Sequence, residues 1–263
     1  MLQWLRLVLV VLPIVFLSCV IPPIFAPDGS PTPVPTQESP VKFINHPKPD
    51  FSVDAAPFQD VGCPRDEKYP NSSYARCTPE SPMAMLGCTH LWDADLLFGG
   101  LKPLYPMVTC IVYSKPGDQS SKLKEGEYLW WDGGMVPIYR RLVIYKDNEF
   151  VLIKNLADLQ AAFAPIETPE EALSFAMIAS GMEGYYDQKY IGGYRYRTDT
   201  VEDTHVVQVD NSYEVNLYDY QWIGCGPHTY NMFKILVTTD GQITVGKRIP
   251  MYEDPKLDGL CQD

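Results

Sequence analysis

The chain has 263 residues, of which 46% are hydrophobic and 12% aromatic, enough to bury one or two hydrophobic cores. Its formal net charge of −12 repels phosphate backbones and anionic lipid head groups. The composition therefore excludes nucleic acid as an expected partner, and it excludes a folded body that lies directly on a membrane surface.

The first 19 residues have the three-part pattern of a secretory signal. Arg6 precedes an apolar run from Leu7 to Leu17, and the small residue Ser18 precedes Cys19. The run is short for a membrane-spanning helix, which needs about 20 residues. Residues 7–19 resemble the signal of bacterial lipoproteins. The resemblance implies a signal peptide over residues 1–18 and a lipid attached to the thiol of Cys19.

Two alternatives for this segment stay open. An ordinary signal peptidase could cut after Ala26, or the segment could stay uncut, because counted through Phe25 it approaches spanning length. All three readings place the body outside the cytoplasm. The expected partner is the membrane, reached through the lipid anchor, with secretion or an uncut N-terminal helix as the alternatives.

Residues 19–57 are rich in proline and lack apolar periodicity, as the run Ser30-Pro-Thr-Pro-Val-Pro-Thr36 illustrates. Such a segment buries too little surface to offset its ordering entropy, so we expect an extended stalk.

Seven cysteines occur in the chain, and without Cys19 an even number remains. In an oxidising compartment six cysteines predict three disulfides. We expect Cys225 to bond to Cys261, because both lie in the last segment. The other four, which we expect to pair among themselves, are Cys63, Cys77, Cys88 and Cys110.

Residues 58–127 form a cysteine-rich segment dominated by loops, with a short helix ending at Gly87 and a strand over 108–113. Residues 128–263 are richer in strand patterns and form the predicted α+β domain, to which 58–127 could also belong. The runs 141–145 and 149–153 flank Lys146-Asp147-Asn148 and predict a hairpin. Asn155 predicts the cap of a helix that runs to Phe163.

The clearest local signal is Thr168-Pro169-Glu170-Glu171, a capping box with proline at the first helical position. The helix that follows is apolar nearly all round and ends at Gly181, which indicates a buried helix. Alternating strands over 206–209, 213–217, 233–237 and 243–245 follow it. We therefore predict an α+β fold in which a buried helix packs on an antiparallel sheet, preceded by the disulfide-rich segment.

Exposed aromatic residues are the best candidates for ligand binding, because Tyr and Trp offer rigid contact area with a polar tip. The candidates are Tyr185, Tyr186, Tyr190, Tyr194 and Tyr196 around Gly192-Gly193, and Trp130 and Trp131 before Asp132. Ligands of this kind would be a peptide, a glycan or another envelope protein. The competing interpretation is that these side chains belong to a sheet face or a core.

No motif predicts catalysis, a cofactor or a metal centre. Cys225 and His228 could form a thiol nucleophile and its base, but export and cysteine parity favour a disulfide at Cys225. The four histidines show no spacing typical of metal ligands. The folded body resembles domains of uncharacterised surface lipoproteins. We expect a non-catalytic binding or structural module of the cell envelope, with a hydrolase that uses scattered carboxylates or Cys225 and His228 as the alternative.

Overall fold

The computed structural model describes residues 41–65, 74–118 and 121–262. The predicted signal peptide, the predicted lipid-attachment residue Cys19 and the predicted stalk up to residue 40 lie outside these ranges. All described residues belong to one compact unit.

The first half of the chain supplies seven strands and one short helix, besides two 3₁₀ turns at Ala56–Phe58 and Leu96–Gly100. They are β1 (Lys42–Ile44), β2 (Tyr74–Arg76), α1 (Pro82–Met85), β3 (His90–Asp93), β4 (Met107–Tyr113), β5 (Trp130–Asp132), β6 (Ile138–Lys146) and β7 (Glu149–Ile153).

Six of these strands form the first sheet, in the order β2-β3-β4-β6-β5, with β7 also paired to β6. All its pairs are antiparallel. The β6–β7 hairpin was predicted, and its register joins Lys146 to Glu149. Asp147 and Asn148 make the two-residue turn with φ of 53° and 63°, a conformation that asparagine and aspartate tolerate better than most residues.

The second half supplies two longer helices, nine strands and a 3₁₀ turn at Pro255–Leu257. They are α2 (Leu156–Phe163), α3 (Pro169–Ser180), β8 (Arg195–Tyr196), β9 (Thr200–Glu202), β10 (Val206–Val209), β11 (Ser212–Tyr220), β12 (Gly224–Cys225), β13 (Thr229–Thr238), β14 (Ile243–Val245), β15 (Ile249–Glu253) and β16 (Cys261–Gln262).

The second sheet has the order β10-β11-β13-β15-β8, with β14 also paired to β13. Its strands are antiparallel throughout. Two small pairs complete the strand structure: β1 runs parallel to β9, and β12 runs antiparallel to β16.

Both longer helices begin where the sequence predicted. The Asn155 side chain accepts a hydrogen bond from the Asp158 amide at the start of α2. At α3, Thr168 and Glu171 form the reciprocal capping box, and Gly181 closes the helix with φ of 71°. These caps satisfy terminal backbone groups that helix geometry alone leaves without partners.

The main core combines side chains from α2, α3 and both six-stranded sheets. Phe175 and Ile178 of α3 are fully buried there, together with Leu142 of the first sheet and Ile235 of the second. A second cluster covers the opposite face of the first sheet and includes Val143. Since β4 is buried at six of its seven positions, the first sheet is covered on both faces.

Over the residues that the structure describes, the fold is sheet-rich, with 36% strand and 17% helix, whereas the sequence predicted a more even α+β balance. The sequence predicted loops over most of residues 58–127, whereas β2, β3 and β4 of that segment form one sheet with β5, β6 and β7. These strands are short and pair over long sequence distances, so local patterns under-represent them.

Three disulfides are present: Cys63–Cys77, Cys88–Cys110 and Cys225–Cys261. The last is the pair chosen from the sequence, and it joins directly opposed residues of β12 and β16. Bonds of this kind persist in oxidising compartments, so the folded body belongs to an extracytoplasmic environment.

Residues 41–57, which the sequence assigned to the stalk, lie against the folded body. Within them β1 pairs with β9, and Phe51 and Val53 pack on the main core. Among the helices of the described ranges, none has the length and apolar character needed to cross a bilayer.

Candidate functional site

A cleft of about 270 Å³ lies between one face of the first sheet and the C-terminal end of α3. The sheet contributes side chains from β3, β4, β5 and β6, and the chain beyond α3 forms the other wall. Aromatic and charged groups dominate the lining, namely Trp92, Asp93, Asp95, Trp130, Asp132, Arg140 and Glu183.

The pairing register explains why these sheet residues meet. Trp130 of β5 lies opposite Arg140 of β6, and Trp92 of β3 lies opposite Thr109 of β4. Because side chains alternate between the two faces of a sheet, the register places all four on one face. Trp131, the next residue after Trp130, points to the other face and is 50% exposed.

The end of α3 holds Trp130 in place. Gly181 closes the helix with a positive φ, and a Cβ atom added there would lie 2.5 Å from the Trp130 ring. Trp130 also packs on the main core while it lines the cleft. A glycine is therefore required at this point both by the backbone conformation and by the close approach of the indole.

Arg140 organises the floor of the cleft. Its guanidinium carbon lies 4.2 Å from the centre of the Trp92 ring, and its Nε lies 2.5 Å from Asp132 Oδ2. The Arg140 side chain is only 13% exposed, so these contacts are sheltered from solvent. The positive charge of Arg140 compensates the negative charge of Asp132, and the lining as a whole remains acidic.

Glu183 lies at the edge of this cleft, and the residue as a whole is exposed. Partial desolvation of its carboxyl group raises its pKa. A hydrogen bond with Tyr185 opposes the shift, whereas the negative charges of Asp95 and Asp132 add to it. The Glu183 backbone is fixed by two hydrogen bonds with Tyr218.

Chemically, the cleft combines flat aromatic surface with carboxylates that accept hydrogen bonds. Such a lining suits a ligand with apolar ring faces and several hydroxyl or amino donors. The sequence pointed to Trp130 but missed Trp92, Arg140 and Glu183. No spacing connects these residues, since only the strand register and the end of α3 bring them together.

Three of the five tyrosines predicted as ligand contacts belong instead to an internal aromatic cluster. Tyr185 stacks on the fully buried Tyr218 at 5.1 Å, and both Tyr194 and Tyr196 contact Tyr252. Burial is the main reason that the pKa of Tyr185 is raised, and the negative charge of the neighbouring Glu183 raises it further. These three side chains support β11 and β15, so they mainly stabilise the second sheet.

Of the other two tyrosines, Tyr190 lies at the exposed edge of this cluster and Tyr186 lies outside it. Tyr190 is 51% exposed and stacks on Tyr196 at 5.4 Å. Tyr186 lines a different cavity of about 250 Å³, beside His46 and His205. Burial raises the pKa of Tyr186 to about 12, aided by Asp203 and Asp95. The structure therefore divides the predicted tyrosine patch among three locations.

The thiol chemistry considered for Cys225 and His228 has no geometric basis. The Cys225 sulfur is bonded to Cys261, so it offers no thiolate. His228 is buried, and its two ring nitrogens lie 3.0 Å and 3.1 Å from the carbonyl oxygens of Gln221 and Leu260. This histidine ties together the chain on either side of the disulfide.

A group that could hold a metal ion lies elsewhere, at the junction of β1 and β9. It consists of His46, Glu202 and His205, whose candidate ligand atoms all lie within 4.8 Å of one another. No sequence pattern points to this group, because His46 and Glu202 are 156 positions apart.

Comparison with known proteins adds no relative. No model of a known protein family matches this chain, and neither does any curated protein or solved structure. The function therefore has to be argued from the geometry of the sites alone.

Proposed function

We propose that this protein is a non-catalytic, lipid-anchored binding module of the cell envelope, and that the cleft at Trp92 and Trp130 binds a saccharide. The observation that carries the proposal is the shared cleft of two tryptophans and several carboxylates on a rigid sheet face. Tryptophan faces pack against sugar rings, and carboxylates accept hydrogen bonds from hydroxyl and amino groups.

Charge narrows the class of saccharide. Among the lining residues that the structure describes, Asp95, Asp132 and Glu183 supply carboxyl groups and Arg140 is the one cation, whereas the carboxylate of Asp93 is paired with Arg65 at 2.7 Å. Such a lining repels carboxylated or sulfated sugars and favours neutral or amino sugars. We therefore assign the site to oligosaccharides built from glucosamine or from its N-acetylated form.

We also propose that the body is exported and that a lipid on Cys19 anchors it to the membrane. Three disulfides support export, and the signal-like residues 7–19 support a lipid at Cys19. At the finer level of fold class, we propose an α+β arrangement in which α3 packs on the second sheet. Its support is that Phe175 and Ile178 share one buried cluster with Val215 and Ile235.

Neighbouring tryptophans on opposite faces of β5 provide the test. We expect the mature protein to bind a glucosamine tetramer in calorimetric titration, and Trp130→Ala to weaken binding on the order of tenfold, through loss of about 1–2 kcal/mol of ring contact. Trp131→Ala is the matched control, since its side chain lies outside the cleft. Trp130→Phe, which keeps an aromatic ring in the core, should retain part of the affinity and the native fold.

The proposal fails if Trp131→Ala weakens binding as much as Trp130→Ala in variants of native thermal stability, or if no saccharide of either form binds. A sulfated tetrasaccharide tests whether the acidic lining of the cleft repels anionic sugars. Tighter binding of that anionic sugar than of the glucosamine tetramer would contradict the role given to the acidic lining of the cleft.

A hydrolase is the second candidate, and one observation favours it. Glu183 has a raised pKa and is influenced by the charges of Asp95 and Asp132, as expected for an acid and a base of glycoside cleavage. In that case the wild type would release reducing ends from a chitin-type oligomer, and Glu183→Gln would abolish this release without loss of binding. Binding without turnover in the wild type supports the non-catalytic module.

A further inference from the structure

A cluster of metal-ligating side chains lies apart from the saccharide cleft, where the N-terminal segment joins the body. His46 Nε2 is 2.9 Å from Glu202 Oε1, and His205 Nδ1 is 3.7 Å from the same oxygen. The two imidazole rings stack at 4.3 Å with an interplanar angle of 24°. Two of the four histidines in the chain thus converge on one carboxylate.

The backbone holds this cluster from two sides. In the parallel β1–β9 pair, Ile44 lies opposite Glu202, so His46 and His205 each follow a strand of the same pair. The fully buried Asp203 carboxylate accepts hydrogen bonds from the His46 amide at 3.2 Å and from Asn45 Nδ2 at 3.0 Å. The position of His46 is therefore fixed before any ligand binds, which lowers the ordering cost of a site.

The donor set has a definite chemical preference. Imidazole nitrogen and carboxylate oxygen are ligands of zinc, and two histidines with one glutamate are a known three-ligand set that leaves a fourth position open. His205 Nδ1 donates to the Asp203 carbonyl oxygen at 3.0 Å, which leaves Nε2 as the nitrogen of His205 that can bind an ion; backbone contacts of this kind orient ligating histidines. Hard ions such as calcium would require more oxygen ligands than the cluster offers.

The three side chains of the cluster are accessible enough for a metal ion to reach them. The side chains of His46, Glu202 and His205 are 32%, 34% and 17% exposed, so an ion can enter while the ligands remain supported by protein. His46 and His205 border the cavity of about 250 Å³ that Tyr186 and Thr204 also line. This cavity gives room for a water molecule or a small anion on the open side of a bound ion.

We propose that His46, Glu202 and His205 bind one divalent transition-metal ion, with zinc the best match, and that the ion fastens residues 41–46 to the body. The ordinary alternative is that these groups form only a histidine–glutamate ion pair with stacked rings. The two cases differ in stoichiometric metal binding and in the effect of the ion on β1.

Titration of the chelator-treated mature protein with zinc chloride tests the site. We expect one equivalent to bind, and His46→Ala to lower the affinity by more than about tenfold. His90→Ala is the matched control, because His90 lies in the first sheet and outside the cluster. For the acid ligand, Glu202→Gln should weaken binding, whereas Glu214→Gln, which removes only an exposed pair with Lys234, should not.

Hydrogen exchange supplies a readout that does not depend on affinity alone. Zinc should slow exchange of the amides of residues 42–46 in the wild type and leave them unchanged in His46→Ala. Cobalt substitution should give the visible absorption of a four- or five-coordinate site. Absence of stoichiometric binding in the folded wild type, or equal affinity in the His46→Ala and His90→Ala variants, would overturn the proposal.

Discussion

At the scale of single residues, Glu253 is an acid that the structure buries and then compensates. Its side chain is 2% exposed, and it accepts hydrogen bonds from Arg197 Nη2 at 2.6 Å and from Thr229 Oγ1 at 3.0 Å. Arg195 Nε also lies 2.6 Å from it. Burial alone would raise the pKa of Glu253, but these hydrogen bonds and the two arginine charges hold it below the ordinary value.

A lowered pKa in the folded state makes stability depend on pH in a known direction. The folded protein then binds fewer protons than the unfolded chain, so the contribution of Glu253 is complete above about pH 5 and is lost as the pH falls through its folded pKa. We expect Glu253→Gln to destabilise the protein by about 1–2 kcal/mol at pH 7. The variant should also lose less stability than the wild type between pH 5 and pH 3.

Urea unfolding at pH 7, 5, 4 and 3 measures both effects. Glu214→Gln is the control, because Glu214 pairs with Lys234 on an exposed surface and surface pairs contribute little. If Glu253→Gln and the wild type lose stability in parallel as the solution is acidified, the assigned role of Glu253 is wrong.

Among the secondary-structure elements, α3 connects the fold to the cleft at Trp92 and Trp130 through its C-cap residue, Gly181. Gly181 has φ of 71°, and a Cβ added there would lie 2.5 Å from the Trp130 ring. An alanine at this position would therefore destabilise the protein in two ways. The positive φ costs about 1 kcal/mol for a residue with a Cβ. The contact adds a further cost, because the indole must move away from its place in the cleft.

Gly193→Ala separates these two penalties, because Gly193 has φ of 87° but no atom within 4 Å of an added Cβ. We expect Gly181→Ala to destabilise the protein by at least about 1 kcal/mol more than Gly193→Ala, and only Gly181→Ala to weaken saccharide binding. Chemical denaturation and calorimetric titration of both variants measure these differences. Equal destabilisation by the two substitutions would show that Trp130 does not press on the end of α3.

The elements with local signals were the predictable ones. The cap residues Asn155 and Thr168, the terminator Gly181 and the turn at Asp147-Asn148 each act within a few positions of the backbone they control. The pairing of β3 with β4 and of β4 with β6 depends on contacts between segments separated by long loops, which periodicity alone does not specify. This is why the sequence under-represented the first sheet.

The candidate sites were less predictable than the fold for the same reason. Of the seven aromatic residues predicted as ligand contacts, Trp130 lines the cleft that it shares with Trp92, whereas Tyr185, Tyr194 and Tyr196 pack against buried residues of the second sheet. Tyrosine alternating on a strand has the same pattern in both situations. Which face is covered depends on the neighbouring strands, and so does the meeting of His46 with His205.

At the scale of the whole molecule, the disulfides indicate an oxidising compartment, and the net charge bears on how the body meets a membrane. Cys63–Cys77 and Cys88–Cys110 brace the segment that packs on the first sheet, and Cys225–Cys261 ties the last strand to β12. Each bridge closes a loop of tens of residues, which stabilises by about 2–4 kcal/mol in the chain-entropy model. The net charge of −12 disfavours contact of this body with anionic lipid, so the proposed membrane attachment relies on a separate segment.

Attachment through Cys19 makes a sharp prediction in the native host. Cys19→Ser removes the thiol that would carry the lipid, so the protein should move from the membrane fraction to the soluble extracytoplasmic fraction or accumulate as its uncut precursor. Cys63→Ser is the matched control, because it also removes one sulfur but takes it from the folded body. This variant should stay in the membrane fraction as the wild type does.

Intact mass of the mature wild type should show cleavage before Cys19, an added lipid and no free thiol. Retention of the Cys19→Ser variant at full length in the membrane, with a wild type that carries no lipid, would favour an uncut helix. A wild type cut after Ala26 would instead favour secretion, and either result would refute the lipid anchor while leaving the extracytoplasmic disulfides in place.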